Sequence, residues 1–315
     1  MDSALYGQLI VFHAIAAEDS ISGAARRLGF GVPAVSKTLK ALEARMGVPL
    51  FNRTTRRLEI TEAGQMLLTR SSDAMQSLSY AVESVQNLGQ TPSGAVRITV
   101  ARFAYLCILK PLLGRFRQAY PEIRLEISLY DGTVDILDQG FDLGIRFGDR
   151  VEEGMVARRL MAPFREGLYV SQDYSRRHGM PQTPEDLPRH QLIGYRFITA
   201  NRILPLILDK AGEELTVDMP SSIVTNDIEV IADAVRQGLG IGRLFEPVHA
   251  QLPDREAFVP VLAPYWRTYP AVYLYFPQNS QRAKRIRALI DFLSGVDGHA
   301  MGRNTQGAGI VPVRQ

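Results

Sequence analysis

The tripeptide Gly29-Phe30-Gly31 separates two stretches that both keep helical spacing, and nothing else in the chain narrows the fold as much. Before it, SGAARRL (22–28) reads as a short helix. Ser20 or Ser22 can cap it, because a serine hydroxyl accepts a first-turn N–H. After it, Val35, Leu39, Leu42 and Met46 recur at i, i+4, i+7 and i+11, which places them on one face of a helix over 32–46. Gly47 stops that helix. Pro33 falls in its first turn, where the missing N–H has no intrahelical acceptor to lose, so the proline starts the helix instead of breaking it. The opposite face carries Pro33, Lys37, Lys40 and Ala44, with Ser36 at its edge.

Charge is concentrated on the same segment. The whole chain has a formal charge of +3. Residues 21–58, however, hold Arg26, Arg27, Lys37, Lys40, Arg45, Arg53, Arg56 and Arg57 against Glu43 alone, a net +7. Such a local excess marks a phosphate-binding surface. A helix with small residues at its start and lysines further on suits the DNA major groove, where short side chains permit close approach. Short helix, glycine turn and longer helix together form a helix-turn-helix. Leu5, Leu9, Phe12 and Ala16 predict a further helix ahead of it. FNRTTRRLEIT (51–61) predicts a two-strand wing with its arginines at the tip.

From 62 to 88 the spacing predicts one long helix, on which Met75, Leu78, Val82 and Val85 form a narrow apolar stripe. A stripe that thin suits pairing with another helix, so these four are candidate dimerisation residues. TPSG (91–94) breaks the helix as a hinge. Beyond it Val96, Ile98 and Val100 alternate, a helix is predicted over 106–120, and Ile123, Leu125, Ile127 and Leu129 alternate again. TVDILDQG (133–140) reads as helix-like, and FDLGIRFG (141–148) holds a strand. Further strands are predicted at 167–171, 222–225, 240–244 and 271–276, with a closing helix at RAKRIRALIDFL (282–293). Strand, helix, strand at this rhythm predicts a parallel α/β sheet. The tail, 295–315, has no periodicity and is expected to be disordered.

FHAIAAEDSISGAARRL, PAVSKTLKALEARMGVPLF and RTTRRLEITEAG resemble the N-terminal domain of LysR-type transcriptional regulators. IRFGDRVEEGMVARRL, HGMPQTPEDLPRHQLIGYRF and AVRQGLGIGRLF resemble the effector domains of that family. The resemblance covers roughly 4–294. It implies a multidomain α+β chain: a winged helix-turn-helix at 4–61 (helix-turn-helix about 21–40), a linker and dimerisation helix at 62–89, and an α/β effector domain at 93–294. That domain is expected to resemble periplasmic binding proteins, with one subdomain from 93–162 and 268–294 and another from 163–267. The implied partners are double-stranded promoter DNA with dyad sites, further copies of the chain as dimer and tetramer, and RNA polymerase. The implied regulator is a non-covalent small-molecule effector, with no cofactor, in the cytoplasm and on the nucleoid. Carried onto this chain, Pro33, Ser36, Lys37 and Lys40 would make groove and backbone contacts, while Arg53, Thr55, Arg56 and Arg57 would reach flanking phosphates or the minor groove. One departure stands out. Many members carry Ser-Gln directly before Pro-Ala-Val-Ser, whereas this chain has Gly31-Val32. Valine cannot make glutamine's bidentate adenine contact; it either meets a thymine methyl or packs on the core.

In open α/β domains, ligands bind beyond the carboxyl ends of strands. Those places here supply Arg102, Phe103, Asp131, Arg146, Phe147, Thr199 and Asn226 as candidate effector-binding residues. Arg102 and Arg146 facing the cleft would favour an anion such as a carboxylate; pairing of Arg146 with Asp142 or Asp149 is the competing arrangement. An enzyme has little support. No G-x-S-x-G or P-loop is present, and His13, His178, His190, His249 and His299 lack metal-ligand spacing, so no catalytic or metal residue is assigned. GLGIG (238–242) lacks the third glycine of a dinucleotide fingerprint and fits a helix end turning into a strand. Cys107, the lone cysteine, lies in the apolar run LCIL and reads as a buried, inert thiol. No apolar run is long enough to span a bilayer, and MDSALYGQLI lacks the pattern of an export signal. A solute-binding protein would account for the second part of the chain but leave the first 90 residues unexplained.

Overall fold

The computed structural model describes residues 3–53, 58–86, 91–132, 135–137, 139–151 and 155–295. It forms two compact units, one of residues 1–88 with 137–140 and one of the remainder.

The first unit comprises α1 (Ser3–Glu18), α2 (Ile21–Leu28), α3 (Val32–Met46), β1 (Phe51–Arg53), β2 (Leu58–Ile60) and α4 (Glu62–Gln86). Ser20, not Ser22, caps α2 by accepting the Gly23 N–H at 3.2 Å. Gly29 then takes φ +69°, a left-handed conformation that costs glycine nothing, and the chain turns into α3. Phe12 and Ile15 of α1, Ala24 and Ala25 of α2, Val35, Leu39 and Leu42 of α3, and Leu50 and Phe51 at the wing form one core. Met46 does not join it as its spacing predicts. It is 37% exposed because the last turn of α3 outruns the core, and Arg45, Gly47 and Val48 beside it are exposed too. The predicted wing is an antiparallel hairpin in register Phe51↔Ile60 and Arg53↔Leu58. The start of α4 is fixed against it: Thr61 Oγ1 accepts the Gly64 N–H at 3.0 Å and donates to Pro49 O at 2.8 Å. A β-carbon on Gly64 would run into the Leu50 carbonyl oxygen, so only glycine lets the helix approach this closely.

The second unit runs β3 (Gly94–Val100), α5 (Arg102–Ala104), a π turn (Tyr105–Leu109), a 3-10 turn (Lys110–Leu112), α6 (Leu113–Ala119), β4 (Ile123–Leu129), β5 (Leu143–Phe147) and β6 (Met155–Met161). It continues with β7 (Phe164–Ser171), α7 (Gln172–His178), β8 (Ile193–Phe197), β9 (Arg202–Ile203), β10 (Leu206–Lys210), β11 (Glu213–Val217) and β12 (Ile223–Thr225). The chain closes with α8 (Ile228–Arg236), β13 (Gly242–Phe245), α9 (Glu246–His249), β14 (Phe258–Val261), β15 (Thr268–Tyr269), β16 (Val272–Pro277) and α10 (Lys284–Leu293). Two sheets organise it. The first has strand order β4-β3-β5-β16-β6. β3 is parallel to β4 and β5, as expected, but β16 is antiparallel to both β5 and β6, so the sheet is mixed. The reason lies in the entry point: Val272 opens β16 opposite Phe147 and Met161, the residues that end β5 and β6. The second sheet centres on β7, antiparallel to β13, β14 and β15. β8 pairs with β12 in parallel, and a bridge from Leu192, just before β8, to Ile241, just before β13, links the two segments. Leu168, Val170, Leu192, Leu206, Leu208, Ile241 and Val261 pack beneath. The chain passes between the sheets twice, at 161–164 and 269–272, where Tyr269 pairs with Phe164.

The helix-like stretch 133–140 is not a regular helix over its described residues. Gly140 N–H bonds back to Leu137 O and Phe141 N–H to Ile136 O, closing a turn straight into β5. Cys107 is buried in the π turn, and burial pushes its thiol pKa up to about 12, which keeps it protonated and inert. Among the described residues no helix is long and apolar enough to cross a membrane.

Candidate functional site

The first turn of α3 is exposed at Val32, Pro33 and Ala34, and Lys37, Lys40 and Ala44 remain exposed along the helix. Ser36 is half-buried and makes a contact within the chain. Neither Lys37 nor Lys40 bonds or pairs with another described residue, so both charges face solvent. Glu43, the only acid in the basic segment, is engaged elsewhere: Oε1 accepts the N–H of Leu50 at 2.9 Å and of Phe51 at 3.3 Å. It therefore anchors the wing instead of neutralising the lysines. Among the other cations, Arg27 pairs with Glu18 at 3.4 Å. Thr55, Arg56 and Arg57 lie outside the described residues, as does the side chain of Arg53. On α4, Met75 is half-buried, while Leu78, Val82 and Val85 are exposed, the last at 69%.

In the second unit the loops after β3 and β4 and the end of β5 face β7, β8, α8 and β13 across a cavity of about 110 Å³. Five of the seven expected residues line it: Arg102, Phe103, Asp131, Arg146 and Phe147. Thr199 and Asn226 are not on its wall; both are exposed, and Thr199 Oγ1 lies against Gly132 in the loop after β4. Asp131 accepts the Arg102 backbone N–H at 2.7 Å and the Tyr195 hydroxyl at 3.1 Å. The Arg102 guanidinium does not stand open to the cleft: it pairs with Asp227 at 3.0 Å and Glu229 at 3.3 Å. Arg146 is 3% exposed and donates to Ile145 O at 2.8 Å and Thr99 Oγ1 at 2.9 Å. Asp142, one of its expected partners, accepts the Arg97 N–H at 2.8 Å.

The opposite wall is built from residues outside the expected set, among them Glu166, Tyr195, Arg243 and Tyr269. Arg243 on β13 donates to Pro205 O at 2.7 Å, and its Nε, which has no hydrogen-bond partner among the described residues, lies 3.7 Å from Glu166 Oε1. The pair is almost closed off from solvent, at 5% and 10% exposure. Tyr269 donates to Glu166 at 3.5 Å; burial, reinforced by the Glu166 charge, pushes its pKa up to about 12. The available signal was an arginine inside an otherwise apolar strand, since buried arginines are held by partners. Aromatic rings complete the wall: Phe103 stacks on Phe147 at 4.5 Å, and Phe245 meets Phe103 at 5.1 Å and Tyr269 at 4.9 Å.

Residues 6–65 match the family of bacterial regulatory helix-turn-helix proteins, lysR family, and residues 89–297 match the LysR substrate binding domain. The chain is 31% identical over 282 residues to the HTH-type transcriptional regulator YcaN of Escherichia coli (strain K12), covering 90% of this chain and 92% of that one. It is 30% identical over 286 residues to the regulator PgrR of the same organism, covering 90% and 95%. Among solved structures, CrgA, a LysR-type transcriptional regulator from Neisseria meningitidis, matches with TM-score 0.58 and 27% identity over 95% of this chain and all of that one. The Vibrio cholerae virulence activator AphB shares the fold, with TM-score 0.60 and 22% identity over 92% and 98%. A helix-turn-helix with unopposed lysines on its outer face, followed by a two-sheet ligand-binding domain, makes this chain a DNA-binding transcriptional regulator, not an enzyme, and it belongs to the LysR family.

Proposed function

We propose that two copies pair through the 62–89 helix and place α3 of each on the two half-sites of a dyad promoter sequence. Pro33, Ser36, Lys37 and Lys40 make groove and backbone contacts, and Arg53, Thr55, Arg56 and Arg57 reach flanking phosphates or the minor groove. The exposed Leu78, Val82 and Val85 support the pairing, since an apolar stripe on a solvent-facing helix asks for a partner. Dimers associate further into tetramers that bend the DNA between sites and contact RNA polymerase, in the cytoplasm and on the nucleoid.

The effector enters the cavity between the two halves of the second unit, 93–162 with 268–294 and 163–267. The observation that carries this reading is the set of bonds across that cavity, Arg102 to Asp227 and Glu229, and Asp131 to Tyr195. A ligand that exchanges some of these bonds for its own changes the relative angle of the halves and shifts the population of DNA-bending states. Arg146 and Arg243 on the wall, among aromatic rings, favour a small flat acid over its uncharged counterpart. The test is a mobility-shift titration of the full chain on DNA upstream of its own and neighbouring genes, with aromatic acids and matched amides. Acids alone are expected to change the retarded pattern. A response to amides alone refutes the anionic class, and absence of any retarded species refutes the promoter assignment.

A further inference from the structure

We propose that Val32 is a base-reading residue whose methyl groups meet the C5-methyl of a thymine in the major groove. By helical spacing Val32 lies on the flank of α3 nearer Val35, Leu39 and Leu42, where a valine would pack if the core reached that far. The core does not reach. Val32, Pro33 and Ala34 are all exposed, although successive residues point about 100° apart, and Val35 is the first buried residue. The first three residues of the helix are therefore all open to solvent, and Val32 is 45% exposed.

Nothing in the fold asks for valine there. It is a modest helix former and cannot cap, and the N-cap Gly31 makes no side-chain bond. The N-terminal end of a recognition helix is the part brought to base edges. At this end the chain offers only apolar side chains, because neither Pro33 nor Ala34 has a side-chain donor or acceptor. In the major groove the one apolar mark on a base pair is the thymine methyl. Lys37 and Lys40, exposed further along the helix, supply the charge that holds this end against the duplex.

Deoxyuridine lacks only that methyl, which makes the proposal testable with the full-length protein. Binding sites are selected from a random-sequence duplex pool, each thymine is replaced in turn by deoxyuridine, and affinities are read by mobility shift. One position per half-site is expected to lose about fourfold in affinity, the weight of one buried methyl. At that position Val32→Ala protein should bind thymine and uracil duplexes equally. It should keep wild-type sensitivity at every other position and an unchanged salt slope, since no phosphate contact is removed. A Val32→Gln pool gives a second measurement, in which the thymine requirement at that position should disappear. If Val32→Ala responds to every deoxyuridine as the wild type does, or the Val32→Gln pool keeps the same thymine, the contact is refuted while DNA binding itself stands.

Discussion

The outer face of α3 and the wall of the cleft both carry cationic side chains, yet they are built in opposite ways. On α3, Lys37 and Lys40 are left to solvent, and the neighbouring acid, Glu43, is held by backbone N–H groups. In the cleft, Arg102, Arg146 and Arg243 are each held by protein acceptors, two of them while nearly or fully buried. Under the proposed function, the difference follows from the partner each surface would meet. A duplex brings its own dense charge, so unopposed lysines gain by releasing its counterions. A small ligand enters a low-dielectric cavity, where an unopposed arginine would be too costly to keep in the empty state. On that proposal DNA would add to the first surface, while a ligand would have to exchange bonds with the second.

The largest effect expected from this contrast lies in the cleft. Glu166→Ala leaves Arg243 buried beside no carboxylate and should lower the stability of the second unit by about 3–5 kcal/mol. Trp266, the only tryptophan, is buried in that unit with its indole N–H on Val261 O, so its fluorescence in urea reports that transition. An unchanged midpoint would mean that the pair is not coupled to the fold. Lys37→Ala should do the reverse: no change in the Trp266 transition, but a loss of about 1–3 kcal/mol in operator affinity if the lysine reads a base. Equal weakening on operator and random DNA would reduce its role to a phosphate contact.

Glu43→Ala separates the two logics within the first unit. Pure electrostatics predicts tighter DNA binding, because the only acid of the basic segment disappears. The geometry predicts weaker binding, because the Leu50 and Phe51 N–H groups lose their acceptor and the wing loses its anchor, at a cost of about 1–2 kcal/mol in the unit's stability. Circular dichroism on thermal unfolding, with a mobility shift alongside, checks both expectations. Tighter binding at unchanged stability would show that Glu43 is only a charge.

The same contrast explains what the sequence disclosed. The helix-turn-helix was readable because its signals are local: Ser20, Gly29, Pro33, Gly47 and the i, i+4, i+7 spacing act within a turn or two of themselves. That spacing failed at Met46, where the extent of the core, a tertiary fact, decides burial. The direction of β16 was hidden for a similar reason, since its alternation is identical in parallel and antiparallel pairing and only the return at 269–272 settles it. In the cleft, the loops after β3, β4 and β5 could be named from strand-end logic. Glu166 and Tyr195 could not, because strands far apart in sequence bring them to the wall, and Arg243 left only the hint of an arginine in an apolar strand.

A half-buried ionisable group of the first unit completes the comparison with the smallest effect. His13 on α1 lies 2.8 Å from Ser71 Oγ on α4, and Ser71 already donates to Leu67 O, so it must accept from the imidazole Nε2–H. Where the cleft keeps buried charges by pairing them, this site disfavours charge on its group: burial lowers the His13 pKa from the ordinary histidine value. A folded-state pKa below the unfolded one means that the unfolded chain binds the proton more readily. The stabilisation is therefore complete above about pH 6.5 and declines as pH falls through the folded value, no faster than about 1.4 kcal/mol per pH unit. His13→Gln retains a donor for Ser71 and cannot titrate, so its stability should not share that decline. Thermal unfolding followed by circular dichroism from pH 7 to pH 5 compares the two proteins. Parallel curves would place the acid sensitivity elsewhere and leave the α1–α4 contact a hydrogen bond without a pH role.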